Sequence, residues 1–293
     1  MTEARGSQFV LQTTALTTVA MLAFAANSLL CRLAMQRGEI DPVSFGGIRL
    51  LSGAITLAVI VRFRTERPAA ANADWLAAAM LFSYVAFFSF AYLTLSAGTG
   101  ALILFGAVQL TMFSVGLRSG EKFGSVAWLG LALAVAGLIY LVSPGIAAPP
   151  LVGAASMAIG GVSWGVYSLR GRGVADPLAA TAGNFARAAP LALLLSVLFI
   201  ANARAHANET GVTLAIVSGA LTSGMGYVIW YAAMSKLTPM RAATVQLSVP
   251  LIAAFGGVVF LSEAITPRLV AASAFILGGI AMVLSSRSPK RRT

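Results

Sequence analysis

The sequence predicts an all-α membrane protein: ten transmembrane helices arranged as two inverted five-helix repeats. Three observations carry this expectation, namely an apolar composition, ten apolar runs with short polar breaks, and landmarks that recur in the second half. Of 293 residues, 58% are hydrophobic and only 10% are charged, and the mean hydropathy is +0.87. One water-soluble core cannot bury that much apolar surface. Because a helix needs about 20 apolar residues to cross the hydrocarbon, ten crossings consume roughly 200 positions and leave only short connections. A large soluble domain is excluded.

The apolar runs fall at about 11–34, 43–61, 75–95, 99–117 and 125–143, then at about 151–169, 179–201, 212–235, 242–261 and 267–286. The first is too long for a signal-peptide core and carries Asn27 and Arg32 at its far end, so it reads as a retained helix. The break at 96–99 is so short that helices three and four must form a tight hairpin. Charge then orients the chain. With a cytoplasmic N-terminus, Arg62, Arg64, Arg118, Arg170, Lys236 and most other cations fall inside, whereas only Arg32, Arg37, Arg204 and Arg268 fall outside. The positive-inside rule therefore places both termini in the cytoplasm. The formal net charge of +11 would suggest nucleic acid in a soluble chain, but these cations flank apolar runs, so the bilayer's anionic headgroups are the expected partner and nucleic acid is not.

The segment Arg37-Gly38-Glu39-Ile40-Asp41-Pro42 returns as Arg172-Gly173-Val174-Ala175-Asp176-Pro177, an offset of 135 residues at which Ser28 also matches Ser163. A second collinear set follows at an offset of 142: Phe88 with Trp230, Ala101 with Ala243, Glu121 with Glu263, Gly137 with Gly279 and Ser143 with Ser285. The chain thus reads as a duplication, residues 1–146 and 147–293. Each half holds five crossings, an odd number, so the second must enter the membrane from the opposite side. Inverted halves are the geometric basis of alternating access around a site near the midplane.

On these landmarks the chain resembles the drug/metabolite transporter superfamily, in its ten-helix branch of two EamA-type repeats. The resemblance rests on Phe45-Gly46-Gly47-Ile48-Arg49-Leu50, on Gly98 to Ala101 with Glu121 and Lys122, and on Thr238-Pro239-Met240-Arg241-Ala242-Ala243 with Pro250, Ser262 and Glu263. Within that superfamily it is similar to the bacterial exporters of aromatic and other neutral amino acids. The resemblance implies an inner-membrane exporter with a central cavity between the halves. One departure is Val108, which stands where Pro250 predicts a proline, so helix four is expected to be less kinked than helix nine.

The nine acids all lie outside the central stretches of the helices, so the residue that usually couples proton entry to cation efflux is not in evidence. Gradient-driven export fits better, with Glu121 and Glu263 expected as helix-end anchors and proton coupling through either of them the alternative reading. Tyr84, Phe88 and Tyr92 share one face of helix three, and Tyr227, Trp230 and Tyr231 share one of helix eight; helix six adds Ser163, Trp164 and Tyr167. Such faces stack aromatic solutes and hold an ammonium by cation–π attraction, although aromatic stripes also simply pack helices. Their repetition at Phe88 and Trp230 favours a substrate cavity. Asn27, Gln109, Asn184 and Gln246 could orient a zwitterion or bond neighbouring helices. Arg187, midway along helix seven, either attracts a carboxylate or bonds carbonyls freed near Pro190; Arg49 is read as structural, near the outer surface.

The single cysteine, Cys31, and single histidine, His206, cannot form a disulfide framework or a Cys/His zinc cage. No Ser/His/Asp set, HExxH or paired intramembrane acids suggest an enzyme. The expectation is a monomeric exporter without cofactor or metal, carrying aromatic and other hydrophobic amino acids. The rival readings are broad drug or purine-nucleoside efflux, a membrane-embedded enzyme, and a non-transporting scaffold.

Overall fold

A computed structural model describes residues 2–64, 74–120, 123–171, 174–234, 236–237 and 245–285, with side chains from Val10 onward. Glu121, Arg172 and residues 238–244, all used above, lie outside the described residues. Among those described, the fold is helical, with one isolated antiparallel bridge between Ile40 and Ala207. The first half comprises α1 (Thr2–Gln36), α2 (Pro42–Arg62), α3 (Trp75–Ala91), α4 (Ala97–Arg118) and α5 (Ser125–Val142). The second comprises α6 (Leu151–Arg170), α7 (Pro177–Ala201), α8 (Glu209–Met234), α9 (Ser248–Leu261) and α10 (Pro267–Ser285).

The recurring Asp-Pro pair explains where two of these helices start. Asp41 accepts the Val43 and Ser44 N–H groups, each at 2.9 Å, and Asp176 accepts that of Ala179 at 3.1 Å. In both cases proline follows as the first helical residue, where its missing N–H costs nothing. The same two residues therefore open the second helix of each half.

Eight of the ten described helices are long and apolar enough to cross a bilayer, and the chain is a multi-pass membrane protein. The other two are shorter: α3 has 17 residues and α9 has 14, about 26 and 21 Å against a hydrocarbon core of about 30 Å. α3 stops early because the chain must turn into α4, whose first turn is capped by Ser96. Ahead of α9, residues 245 and 246 are helical but Leu247 breaks the run, so Pro250 sits in the first turn of the described helix, where it displaces no hydrogen bond. α4 runs unbroken through Val108. Large apolar side chains such as Ile55, Leu193, Phe255 and Phe260 are exposed and offer a continuous surface to lipid tails.

The closest helix pairs mostly join one half to the other: α5 with α10, α3 with α6, α2 with α7 and α8, α4 with α6 and α9, and α1 with α8 and α9. The α3–α7 contact completes this set. Exchanging each helix for the one five places along returns the same set of pairs. Small residues permit the approach. A Cβ on Gly130 would meet the Gly279 carbonyl at 2.5 Å, and one on Gly219 would overlap the Arg49 carbonyl, so α5–α10 and α2–α8 cross with backbones nearly touching.

Candidate functional site

A cavity of about 30 Å³ lies where α1, α2, α3, α4, α6 and α8 converge, with Gln246 reaching it from just ahead of α9. About 10–15 Å³ admits one water, so the space suits two waters and is far too small for an amino acid. No solute of that size fits the cavity as it stands.

Aromatic rings form nearly half of its wall. Trp164 lies between Tyr84 and Tyr227, with ring centroids 4.9 and 5.5 Å away, and it is nearly parallel to Tyr227 at 16°. Tyr84 touches Phe88 at 5.3 Å, and Phe24 faces Tyr227 at 6.0 Å. Tyr84 and Phe88 share the cavity face of α3 because they stand four residues apart, as the sequence spacing predicts.

The polar centre of the chamber is Arg49, a side chain that sequence reading placed near the surface. Asp41 caps α2 just inside the membrane-spanning bundle, so Arg49, eight residues further on, lies about 12 Å along the helix and is only 1% exposed. Its Nε donates to Ser223 Oγ and its Nη2 to the Tyr84 hydroxyl, both at 3.1 Å. The guanidinium carbon also sits over two rings, 5.2 Å from the centroid of Tyr84 and 5.1 Å from that of Phe88. Nη1 is buried and has no acceptor among the described residues. Asn27 extends the network: its amide nitrogen donates to the Tyr84 hydroxyl at 3.4 Å, and its carbonyl oxygen accepts from Ser218 at 2.6 Å and Thr222 at 3.3 Å.

These three hydroxyls owe their positions to an irregularity in α8. Residues Ser218–Met225 are wound as a π-helix, a wider turn than the α-helix on either side. The wide turn brings Ser218, Thr222 and Ser223 toward Asn27 and Arg49, and Gly219 lets the α8 backbone lie against that of α2. The clue in the sequence is the small, hydroxyl-rich run Ser218-Gly219-Ala220-Leu221-Thr222-Ser223-Gly224 within an otherwise apolar helix.

Charge ties the helices together one turn beyond Ser28 and Phe88, at one end of the chamber. Arg32, near the end of α1, donates Nε to Glu263 at 2.9 Å and Nη1 to the Tyr92 carbonyl, also at 2.9 Å. The second oxygen of Glu263 accepts the Ala97 N–H at the start of α4, at 2.8 Å. One carboxylate thus ties together α1, α4 and the turn after α9. At the other end, Arg64 bonds Asp176 and Arg170 bonds Asp74, at 2.9 and 2.7 Å. The Arg170 guanidinium holds the Asp74 carboxyl below its ordinary value of 3.8.

Of the residues expected to bind substrate, Asn27, Tyr84, Phe88, Trp164, Tyr227 and Gln246 line the cavity. Five more stand behind that wall. Tyr92 meets Phe88 edge-on at 4.8 Å, Tyr167 touches Trp164 at 5.4 Å, and Trp230 packs on Phe24 at 5.9 Å. Ser163 pairs with Ser83 at 3.0 Å, and Tyr231 with Thr181 at 2.9 Å. Asn184 is buried in α7, away from the cavity wall, and its carbonyl oxygen has no partner among the described residues. Gln109 follows Phe105 by one turn of α4 and is half-buried beyond the lining. Arg187 turns back on its own helix, donating to the Gly183 carbonyl at 3.2 Å, one turn before Pro190. Sequence reasoning missed Phe24, Ser28, Arg49, Leu104, Phe105, Thr222 and Ser223 as cavity residues.

The comparison with known proteins agrees with this architecture. The EamA-like transporter family matches twice, at residues 13–143 and 151–285, which together span most of the chain. The chain belongs to the EamA-like transporter family. It is similar to an uncharacterized protein of Pseudomonas aeruginosa, 50% identical over 276 residues that cover 94% of this chain and 96% of the relative. It is also similar to YoaV, an uncharacterized transporter of Bacillus subtilis, at 23% identity over 257 residues, 83% of this chain and 87% of the relative. A solved crystal structure, 20% identical, superposes over 96% of this chain and 99% of its own with a TM-score of 0.63, which shows the shared fold. The family is one of transporters, and the chamber is read in that light.

Proposed function

We propose that this EamA-family transporter exports aromatic and other hydrophobic amino acids from the bacterial cytoplasm across the inner membrane by alternating access. The carrier unit is a monomer with both termini cytoplasmic, and its inverted halves, residues 1–146 and 147–293, cross the membrane five times each. Support for the inverted arrangement comes from the helix pairing, which is unchanged when each helix is exchanged for its counterpart five places along. Support for the substrate class comes from one observation above the rest: a buried chamber walled by Phe24, Tyr84, Phe88, Trp164 and Tyr227 around hydrogen-bonding groups of Asn27, Arg49 and Gln246.

No described carboxylate lines the chamber, which supports export down a gradient without an intramembrane proton carrier. The decisive experiment is counterflow of labelled phenylalanine, tyrosine and threonine by purified protein in liposomes with no proton gradient. Saturable exchange is expected. Trp164→Ala should lower the apparent affinity for phenylalanine about tenfold, since an aromatic pair contributes up to about 1.5 kcal/mol. Folded protein that exchanges none of the three overturns the substrate class; exchange of purine nucleosides alone would assign the flat Trp164–Tyr227 wall to planar heterocycles instead.

A further inference from the structure

The chamber's charge has a consequence for the solute. Among the described residues, the two buried charged side chains are Asp41 and Arg49. Asp41 is fully committed: one oxygen accepts the Val43 and Ser44 N–H groups and the other accepts that of His206 at 3.0 Å. Glu263 is held by Arg32 and Ala97 at the chamber's end. Arg49 therefore stands in the bundle with only neutral company, the hydroxyls of Ser223 and Tyr84 and the faces of Tyr84 and Phe88. A guanidinium stays charged at any physiological pH and carries five donors, of which the two on Nη1 lack an acceptor here. A lone intramembrane cation with spare donors is costly, and it is characteristic of a site whose counter-ion arrives with the ligand.

We infer that Arg49 is the carboxylate anchor of the carrier and that the carried species is an aromatic monoanion, a carboxylate on a planar apolar body, for which an ammonium group is dispensable. The inference rests on the transport reading above and shifts its solute from the zwitterionic amino acid to an aromatic carboxylate of net negative charge. Its counterpart is an omission in the wall: the chamber offers an ammonium only rings and neutral oxygens, while it offers a carboxylate a full positive charge. A fixed Arg49 charge that stays with the protein makes export of such an anion electrogenic. An inside-negative potential then drives the solute outward, by about 50-fold in concentration ratio per 100 mV, with no coupling ion.

The test uses the full chain in liposomes with potassium and valinomycin setting the potential. Three probes separate the groups: phenylpyruvate, which carries a carboxylate without an ammonium; phenylalaninamide, which carries an ammonium without a carboxylate; and phenylalanine, which carries both. The expected result is that phenylpyruvate exits faster when the lumen is negative and competes with phenylalanine, while phenylalaninamide competes at least tenfold more weakly. Arg49→Gln should lose at least tenfold in affinity for phenylpyruvate, with Arg49→Lys recovering part of it. The competition order in the unmodified protein decides the matter even where the variants fail to fold. Potential-independent exchange of phenylalanine, with phenylpyruvate inert, would overturn the anion inference and leave the transport reading standing. No flux of any probe through folded protein would overturn both.

Discussion

The two ends of the chamber are tied by the same chemistry in different surroundings. At one end Arg32 and Glu263 are 15% and 11% exposed. At the other, Arg170 and Asp74 are 43% and 39% exposed, while Arg64 and Asp176 are 35% and 10%. A half-solvated pair exchanges one set of water contacts for another and contributes little. A nearly buried pair must hold, because removing either partner strands the other away from water. The difference teaches that the Arg32–Glu263 pair is held more firmly than Arg170–Asp74, with Arg64–Asp176 between them because Asp176 is as buried as Glu263.

The largest expected effect is therefore at Glu263. Glu263→Ala strands the Arg32 guanidinium and the Ala97 N–H, and should destabilise the protein by about 2 kcal/mol, somewhat below the figure for a fully buried pair because this one is partly exposed. Cys31 supplies a built-in reporter, being the chain's single cysteine, fully buried and adjacent to Arg32. Its alkylation by a small maleimide should quicken about tenfold or more in Glu263→Ala; an unchanged rate would show that the pair does not hold this end together. A middling effect is expected from Arg64→Ala, about 1 kcal/mol by thermal unfolding in detergent because Asp176 is nearly buried while Arg64 is partly solvated, with Cys31 alkylation unaltered. A loss as large as that of Glu263→Ala would erase the contrast between the ends.

The smallest effect belongs to Asp74, and it depends on pH. Arg170 favours the charged carboxylate, so its contribution is present above the ordinary value of 3.8 and is lost as pH falls through the lowered folded value. The melting-temperature difference between wild type and Arg170→Ala should therefore be present near neutrality and disappear in acid. A difference that grows on acidification would contradict the assignment.

Much of the fold was legible because its signals are local. Runs of apolar residues gave ten helices, and the Asp-Pro pair of each half marked the starts of α2 and α7 by a capping rule that needs no tertiary context. Tyr84 and Phe88 were legible for the same reason, since spacing alone puts them on one face. Arg49 was not, because a cation seven residues into an apolar run looks interfacial until the helix's start is known to lie inside the bundle. The π-helix of α8 was equally hidden: no periodicity marks it, although Gly219 within it lies against the α2 backbone. Gln109 illustrates the reverse error, for depth along α4 does not decide which cavity, if any, a side chain meets.

The cross-pairing of the halves also bears on biosynthesis. Helices leave the ribosome in order, yet α5 finds its main neighbour in α10, and α1 packs chiefly on α8 and α9. Until those late segments emerge, the early ones have only lipid, one another or a chaperone to cover the small-residue seams at Gly130 and Gly53. A chain released after α5 should thus persist only briefly in the cell, and synthesis must reach almost its last span before the solute path exists at all.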